Sequence, residues 1–207
     1  AYKQSSKRLE VANKAETVDP DNALLWRQNL KRLESEIIRD AILAVSDQVN
    51  LQAYGPPAGI TKPVSGLSMV EAGANGHDHQ RRSVYVFARR VYPLKFMEIF
   101  DSPIMAINCS RRSNSTTVLQ SFAQLNSDFV INAAKASATQ LIKDYPQQNT
   151  PALIKDAFTS ILGRKPTAEE SALCIQHITE QFTAFEASVP GKGYHLAVAD
   201  LCHMLLC

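Results

Sequence analysis

Three arginine pairs carry the most distinctive chemistry in the chain: Arg81-Arg82, Arg89-Arg90 and Arg111-Arg112. A guanidinium is a planar fork that matches carboxylate, sulfate and phosphate oxygens two at a time. The first two pairs flank the segment Ser83-Val84-Tyr85-Val86-Phe87-Ala88, and the third follows Cys109-Ser110. In extended backbone successive side chains point to opposite faces, so each pair offers one guanidinium to a given face. Two readings follow. In one, Arg81, Arg82, Arg89, Arg90, Arg111 and Arg112 form an anion-binding surface. In the other they close an internal ion-pair network with Glu34, Glu36, Asp40, Glu71 and Asp101, laying extended backbone against a helix. Paired arginines need counter-charges with or without a ligand, which favours the network. Arg32, Glu36, Arg39, Asp40 and Asp101 are then structural, and the arginines near 82, 90 and 111 act as glue.

Other constellations are weaker. Glu36 and Asp40 share a helix face and form a carboxylate pair of the kind used in acid–base work, but no histidine or nucleophile is tied to that face. His77-Asp78-His79 could hold a metal, yet no third ligand is evident, and an exposed polar loop is the plainer reading. Cys174, His177, Cys202 and His203 match no common zinc spacing. A Cys174–Cys202 bridge fits an exported chain, but two small buried apolar side chains are favoured. There is no C-x-x-C-H, G-x-S-x-G, H-E-x-x-H or G-x-x-x-x-G-K-[ST]. No catalytic residue, metal or cofactor is therefore assigned.

The elements that must position these groups are mostly helical. Residues 1–21 read as an irregular lead-in, with Asn22 as a helix cap. From Ala23 to about Asp47, apolar residues at Leu30, Leu33, Ile37, Ile38, Ala41, Ile42 and Val45 predict one amphipathic helix, roughly 37 Å long, with Arg32 and Glu36 as an i,i+4 pair. Residues 50–80 are punctuated by Gly55, Pro56, Pro57, Gly59, Pro63, Gly66, Gly73 and Gly76 and predict a long loop. Ser83–Ala88 predicts a short strand or an extended segment buried on both faces. Leu94–Phe100 predicts a short helix.

From 116 to 207 the pattern is a helical bundle half. Thr116–Tyr145 breaks at Asn126-Ser127-Asp128, with apolar stripes at Val118, Leu119, Phe122 and Leu125 and then at Phe129, Val130, Ala133, Leu141 and Ile142. Thr150-Pro151 opens the next helix and Gly163 closes it. Thr167 with Glu170 is a capping box. A last helix starts near Tyr194 and carries Leu196, Leu201, Met204 and Leu205. The fold class is mainly α: an irregular helical bundle with one short extended segment and a long Gly/Pro-rich loop, in one domain over 1–207.

Composition agrees. The 207 residues hold 22 Lys plus Arg against 20 Asp plus Glu, and 45% are hydrophobic. Disordered and collagen-like classes are excluded. A net charge of +2 does not argue for a nucleic-acid partner. No stretch reaches the ~18 apolar residues of a membrane span. The ending Leu205-Leu206-Cys207, inside a helical pattern, reads as a piece of a longer chain.

The chain also resembles a planctomycete family of unknown function, domain-of-unknown-function family fifteen fifty-three. The resemblance rests on Ala1-Tyr2-Lys3-Gln4-Ser5-Ser6, on Arg32-Leu33-Glu34-Ser35-Glu36-Ile37-Ile38-Arg39-Asp40-Ala41, and on Leu43-Ala44-Val45-Ser46. It continues through Gly55-Pro56-Pro57, Arg82-Ser83-Val84-Tyr85, Phe100-Asp101-Ser102-Pro103, Cys109, Arg111-Arg112 and Ser115-Thr116-Thr117. Leu119-Gln120, Leu125-Asn126, Phe129, Gly163-Arg164-Lys165-Pro166-Thr167 and Leu196-Ala197-Val198-Ala199-Asp200-Leu201-Cys202-His203 complete it. Members often carry Asn directly after the arginine pair, whereas here Ser113 precedes Asn114, and members continue past the last helix. The resemblance implies a domain near the C-terminal end of a large exported protein, in the periplasm, envelope or medium. Other domains of the same polypeptide are its implied partners, among them a cytochrome-c-like domain that holds its own haem. It implies no activity. The expectation is a non-catalytic structural or interaction module. The alternative is an enzymatic or redox-coupled domain holding an anionic glycan with its paired arginines.

Overall fold

The computed structural model describes residues 13–29, 31–61, 68–103, 109, 112, 115–145 and 149–207. Among them are eight α-helices and one two-stranded antiparallel sheet, so the class is mainly α as the patterning requires. The chain divides into two compact units, Ala1–Leu33 and Glu34–Cys207.

In the first unit, Asn13–Val18 forms helix α1 within the stretch read as irregular. The long helix expected from Ala23 does not begin there. The Asp19 carboxylate accepts hydrogen bonds from the amides of Ala23 and Leu24 at 2.9 and 2.7 Å. The Asn22 side chain accepts from the Arg27 amide and donates to the Arg27 carbonyl. Asn22 and Leu25 both take φ near +56°. Short polar side chains have captured the amides that a helix would need, which is how Asp and Asn compete with helix locally. Arg32 therefore precedes the helix that carries Glu36.

In the second unit, α2 spans Ser35–Val45. Its buried stripe is Ser35, Arg39, Ile42 and Leu43. The expected stripe is rotated, and Leu33 and Ile37 are about half exposed. A polar inward face needs partners, and Arg39 and Ser46 find them in backbone carbonyls.

The Gly/Pro-rich stretch holds more structure than a loop. Strands β1 (Ile60–Thr61) and β2 (Met69–Val70) pair antiparallel, Ile60 opposite Val70. The strand expected at Ser83–Ala88 starts instead as a 3-10 turn over Ser83–Tyr85. Only its end is extended: the Ala58 amide donates to the Tyr85 carbonyl and the Phe87 amide to the Ala58 carbonyl, both at 2.8 Å. It is not buried on both faces, since Val84 and Phe87 are exposed. The turn arises because Ser83 is held from the side by Asp40, as described below.

Helix α3 (Lys95–Ile99) tucks Phe96 against Phe100 and Phe129. Helix α4 (Val118–Asn126) opens on a Thr117–Gln120 capping box. It turns Gln120 inward, donating to the Ile99 carbonyl at 3.0 Å, and leaves the expected stripe of Val118, Leu119, Phe122 and Leu125 exposed. Helix α5 (Asp128–Asp144) follows the break at Ser127. Helix α6 (Thr150–Leu162) ends on Gly163 at φ +66°, a conformation that disfavours a Cβ. Helix α7 (Ala168–Ser188) opens on the Thr167–Glu170 box, and α8 (Gly193–Leu206) closes the bundle.

The core lies where α8 packs on α5 and α7. Ala134, Ala138, Leu153, Ala157, Val198 and Cys202 fill one side, and Ile154, Phe158, Ile178, Ala197 and Leu201 the other. A third cluster joins Ile42 of α2 to Val130 and Ala133 of α5, so α2 is fixed to the bundle by apolar contact. Helix α2 in turn positions the candidate site.

Candidate functional site: an arginine-lined groove

Arg39 is the anchor. It is 2% exposed. Its Nη1 donates to the Arg81 carbonyl at 2.9 Å and to Ser83 Oγ at 3.1 Å, and its Nη2 donates to the His79 carbonyl at 2.5 Å. Burial pulls its pKa down to about 10, Asp40 opposing, so the group stays cationic at neutral pH. The neighbouring Asp40 completes the clamp: its Oδ1 accepts from the Ser83 amide and from Ser83 Oγ, both at 2.7 Å. Two adjacent residues of opposite charge on α2 thus hold residues 79–83 by backbone atoms.

Arg81 continues the anchoring. It is 3% exposed, donates to the Tyr54 and Pro56 carbonyls at 2.7 Å each, and stacks over the Tyr85 ring. Tyr54 and Gly55 both have positive φ, and that turn aims the two carbonyls at the guanidinium. Arg39 and Arg81 therefore satisfy carbonyls that no ladder reaches.

The remaining described arginines behave differently. Arg82, Arg89 and Arg112 line one groove of about 500 Å³ together with Glu34, Glu36 and Asp40. Ile60, Val86, Phe87, Leu94 and Met97 supply its apolar lining. Arg82 is 57% exposed, with Nε 3.6 Å from Asp40 Oδ2. Arg112 Nη1 lies 2.6 Å from Glu36 Oε2 and 3.2 Å from Glu34 Oε2. Burial pushes the Glu36 carboxyl up, but hydrogen bonds from Arg112, its own backbone and Ser35 outweigh that and leave it below its ordinary value. The Glu36 hydrogen bond raises Arg112 in return.

Arg89 has no carboxylate partner among the described residues. It donates to the Tyr92 hydroxyl and stacks on the rings of Phe87 and Tyr92, 5.5 and 4.9 Å from their centroids. Its Nε is buried with no hydrogen-bond partner among the described residues. Arg90 is exposed, and Arg111 lies outside the described residues. Asp101, at φ +62°, accepts from the Ser115 amide and hydroxyl at 2.7 and 2.8 Å, tying the end of α3 to the start of α4.

The other sequence candidates are not drawn into the groove. His77 bonds Gln80, Asp78 starts a 3-10 turn, and His79 contributes its carbonyl to Arg39. Burial, His77 and Arg39 lower His79, with Asp78 opposing. Cys174 and Cys202 are free thiols. Cys202 is fully buried and pushed up to about 12, which suits a small apolar side chain. A second hollow, about 350 Å³, lies beside Leu173, Cys174, His177, Glu180 and Met204, with His177 Nε2 2.9 Å from Asp200 Oδ2. Burial and Glu170 raise the Cys174 thiol, the opposite of an activated nucleophile. Among the described residues no group of three or more His, Cys, Asp or Glu could hold a metal ion.

The family model described as a protein of unknown function, DUF1553, matches residues 1–178. The chain belongs to this family. No curated protein and no solved structure matches it. The DUF1553 match covers both the α2 clamp and the groove. Sequence reasoning placed the arginines and carboxylates but missed Ser83, Tyr54, Phe87 and Tyr92. Their partners lie outside any local pattern, although the two aromatics do sit two and three residues from Arg89.

Proposed function

We propose that this DUF1553 chain is a non-catalytic interaction module of a larger exported protein, and that its groove takes an anionic saccharide. The observation that carries the reading is the convergence of Arg82, Arg89 and Arg112, one from each sequence pair, on one groove beside Glu36 and Asp40. A concave site with an apolar lining and a few convergent polar groups is the usual shape of a small-ligand site. Glu36 is held below its ordinary value, so it is a poor proton donor near neutral pH. Asp40 Oδ1 is occupied by Ser83.

A structural role for the same segment is favoured by a different pair, Arg39 and Arg81, whose guanidiniums are buried against carbonyls. The two roles coexist: the buried arginines build the groove wall and the exposed ones face its contents. The test is a glycan array probed with the purified chain and with the Arg82→Ala/Arg89→Ala/Arg112→Ala variant. Retention on carboxylated glycans by the first and loss by the second supports the reading. Silence of the native chain across carboxylated, sulfated and neutral glycans contradicts it.

A further inference from the structure

The three groove arginines are not equivalent. Arg112 already faces two carboxylates, Glu34 and Glu36, and Arg82 faces Asp40. Three arginines and three carboxylates leave the lining with no net charge. A sulfated or otherwise polyanionic chain gains nothing from such a wall, because each new anion must displace a resident carboxylate or sit beside one. Arg89 alone among them has no carboxylate among the described residues, and its Nε is buried without a hydrogen-bond partner there. Its guanidinium carbon lies within cation–π range of the rings of Phe87 and Tyr92. A half-exposed Phe87 ring beside it offers a flat apolar face.

Resting on the binding reading above, we propose that Arg89 is the anion-receiving residue and that the groove accepts a single carboxylate carried on a hydroxylated ring, a uronic-acid type of saccharide. The guanidinium takes the carboxylate in a charge-assisted contact at its end, through the remaining N–H groups of Nη1 and Nη2. The ring's C–H face rests on Phe87 and the apolar lining. Its hydroxyls meet the free lone pairs of Glu34, Glu36 and Asp40, each carboxylate having sites for about four hydrogen bonds. Sulfate esters and polyanions are rejected by those same carboxylates.

Calorimetric or NMR titration of the full chain with the monosaccharide galacturonate, its methyl ester, uncharged galactose and dextran sulfate tests this. Galacturonate binds; esterification or Arg89→Gln weakens binding roughly ten- to a hundredfold, the range of a lost charged hydrogen bond. Arg89→Lys, which keeps the charge without the fork, recovers only part. Dextran sulfate binds no better than galactose. A thermal melt of each variant within a few degrees of the native chain shows that any loss is not unfolding. Equal binding of galacturonate and its methyl ester overturns the assignment of Arg89 while leaving a saccharide groove. Tighter binding of dextran sulfate overturns the single-carboxylate claim. Absence of binding by all four probes overturns both this inference and the binding reading.

Discussion

The two guanidiniums that define the region do opposite things because of where they lie. Arg39 is enclosed, so its hydrogen bonds replace lost water and each one matters. Arg39→Met strands the carbonyls of His79 and Arg81 and leaves Asp40 with only the exposed Arg82 as a cation. The expected loss is roughly 3–5 kcal/mol, read by urea denaturation. Arg39→Lys recovers little of it, because an ammonium cannot span the same three acceptors. Arg82 is more than half exposed, and Arg82→Ala changes stability by less than about 0.5 kcal/mol in the same assay. Glu36 gives a pH-dependent signature. Its carboxyl titrates below its ordinary 4.5 in the folded chain. Its contribution to stability is therefore complete above that value and is lost as the pH falls through the depressed folded value. Glu36→Gln flattens this acid limb, which a series of urea midpoints taken between about pH 5 and 3 will reveal.

Helices were legible where the signal is local. The Thr167–Glu170 box, Gly163 after α6 and the break at Ser127 are each made by residues a few positions apart, and all three are in place. The start of α2 was not legible, because its apolar periodicity extends backward into a stretch where Asp19 and Asn22 capture the amides. Nor was the inward face of α4, set by a Gln120 bond to a carbonyl on another helix. The turn between α7 and α8 shows what a single element junction requires. The Glu186 carboxylate accepts from the amides of Gly191 and Gly193 at 2.6 and 2.9 Å. A Cβ on Gly193 would lie 2.8 Å from the Glu186 backbone nitrogen. Gly193→Ala must shift that junction, and the expected cost is about 1–3 kcal/mol, measured as a fall in the thermal midpoint.

At the scale of the whole molecule, an all-helical bundle carries a non-helical strip, and the strip carries the groove. The bundle is held by ordinary apolar packing of α5, α6, α7 and α8. The strip has little of that: its 3-10 turns bury no large apolar side chain. Its attachment is polar and comes from Arg39 and Asp40 on α2, themselves fixed through the Ile42 cluster. The candidate site was half legible for this reason. Its charged residues announce themselves by type, but their division into anchors and groove lining depends on contacts between residues about forty positions apart. The glue expected near 82, 90 and 111 is not what the described residues show there: Arg82 and Arg90 are exposed, and Arg111 lies outside the described residues. The buried anchors are 39 and 81.

The α2 clamp holds residues 79–87 in place and so builds the groove. Hydrogen exchange of peptides spanning 79–87, in the native chain and in Arg39→Met, tests it most directly. The expected result is that the Ser83 amide, bonded to Asp40 at 2.7 Å, is protected in the native chain and exchanges freely in the variant, while α5 and α8 keep their protection. Equal protection of 79–87 in both proteins would contradict it.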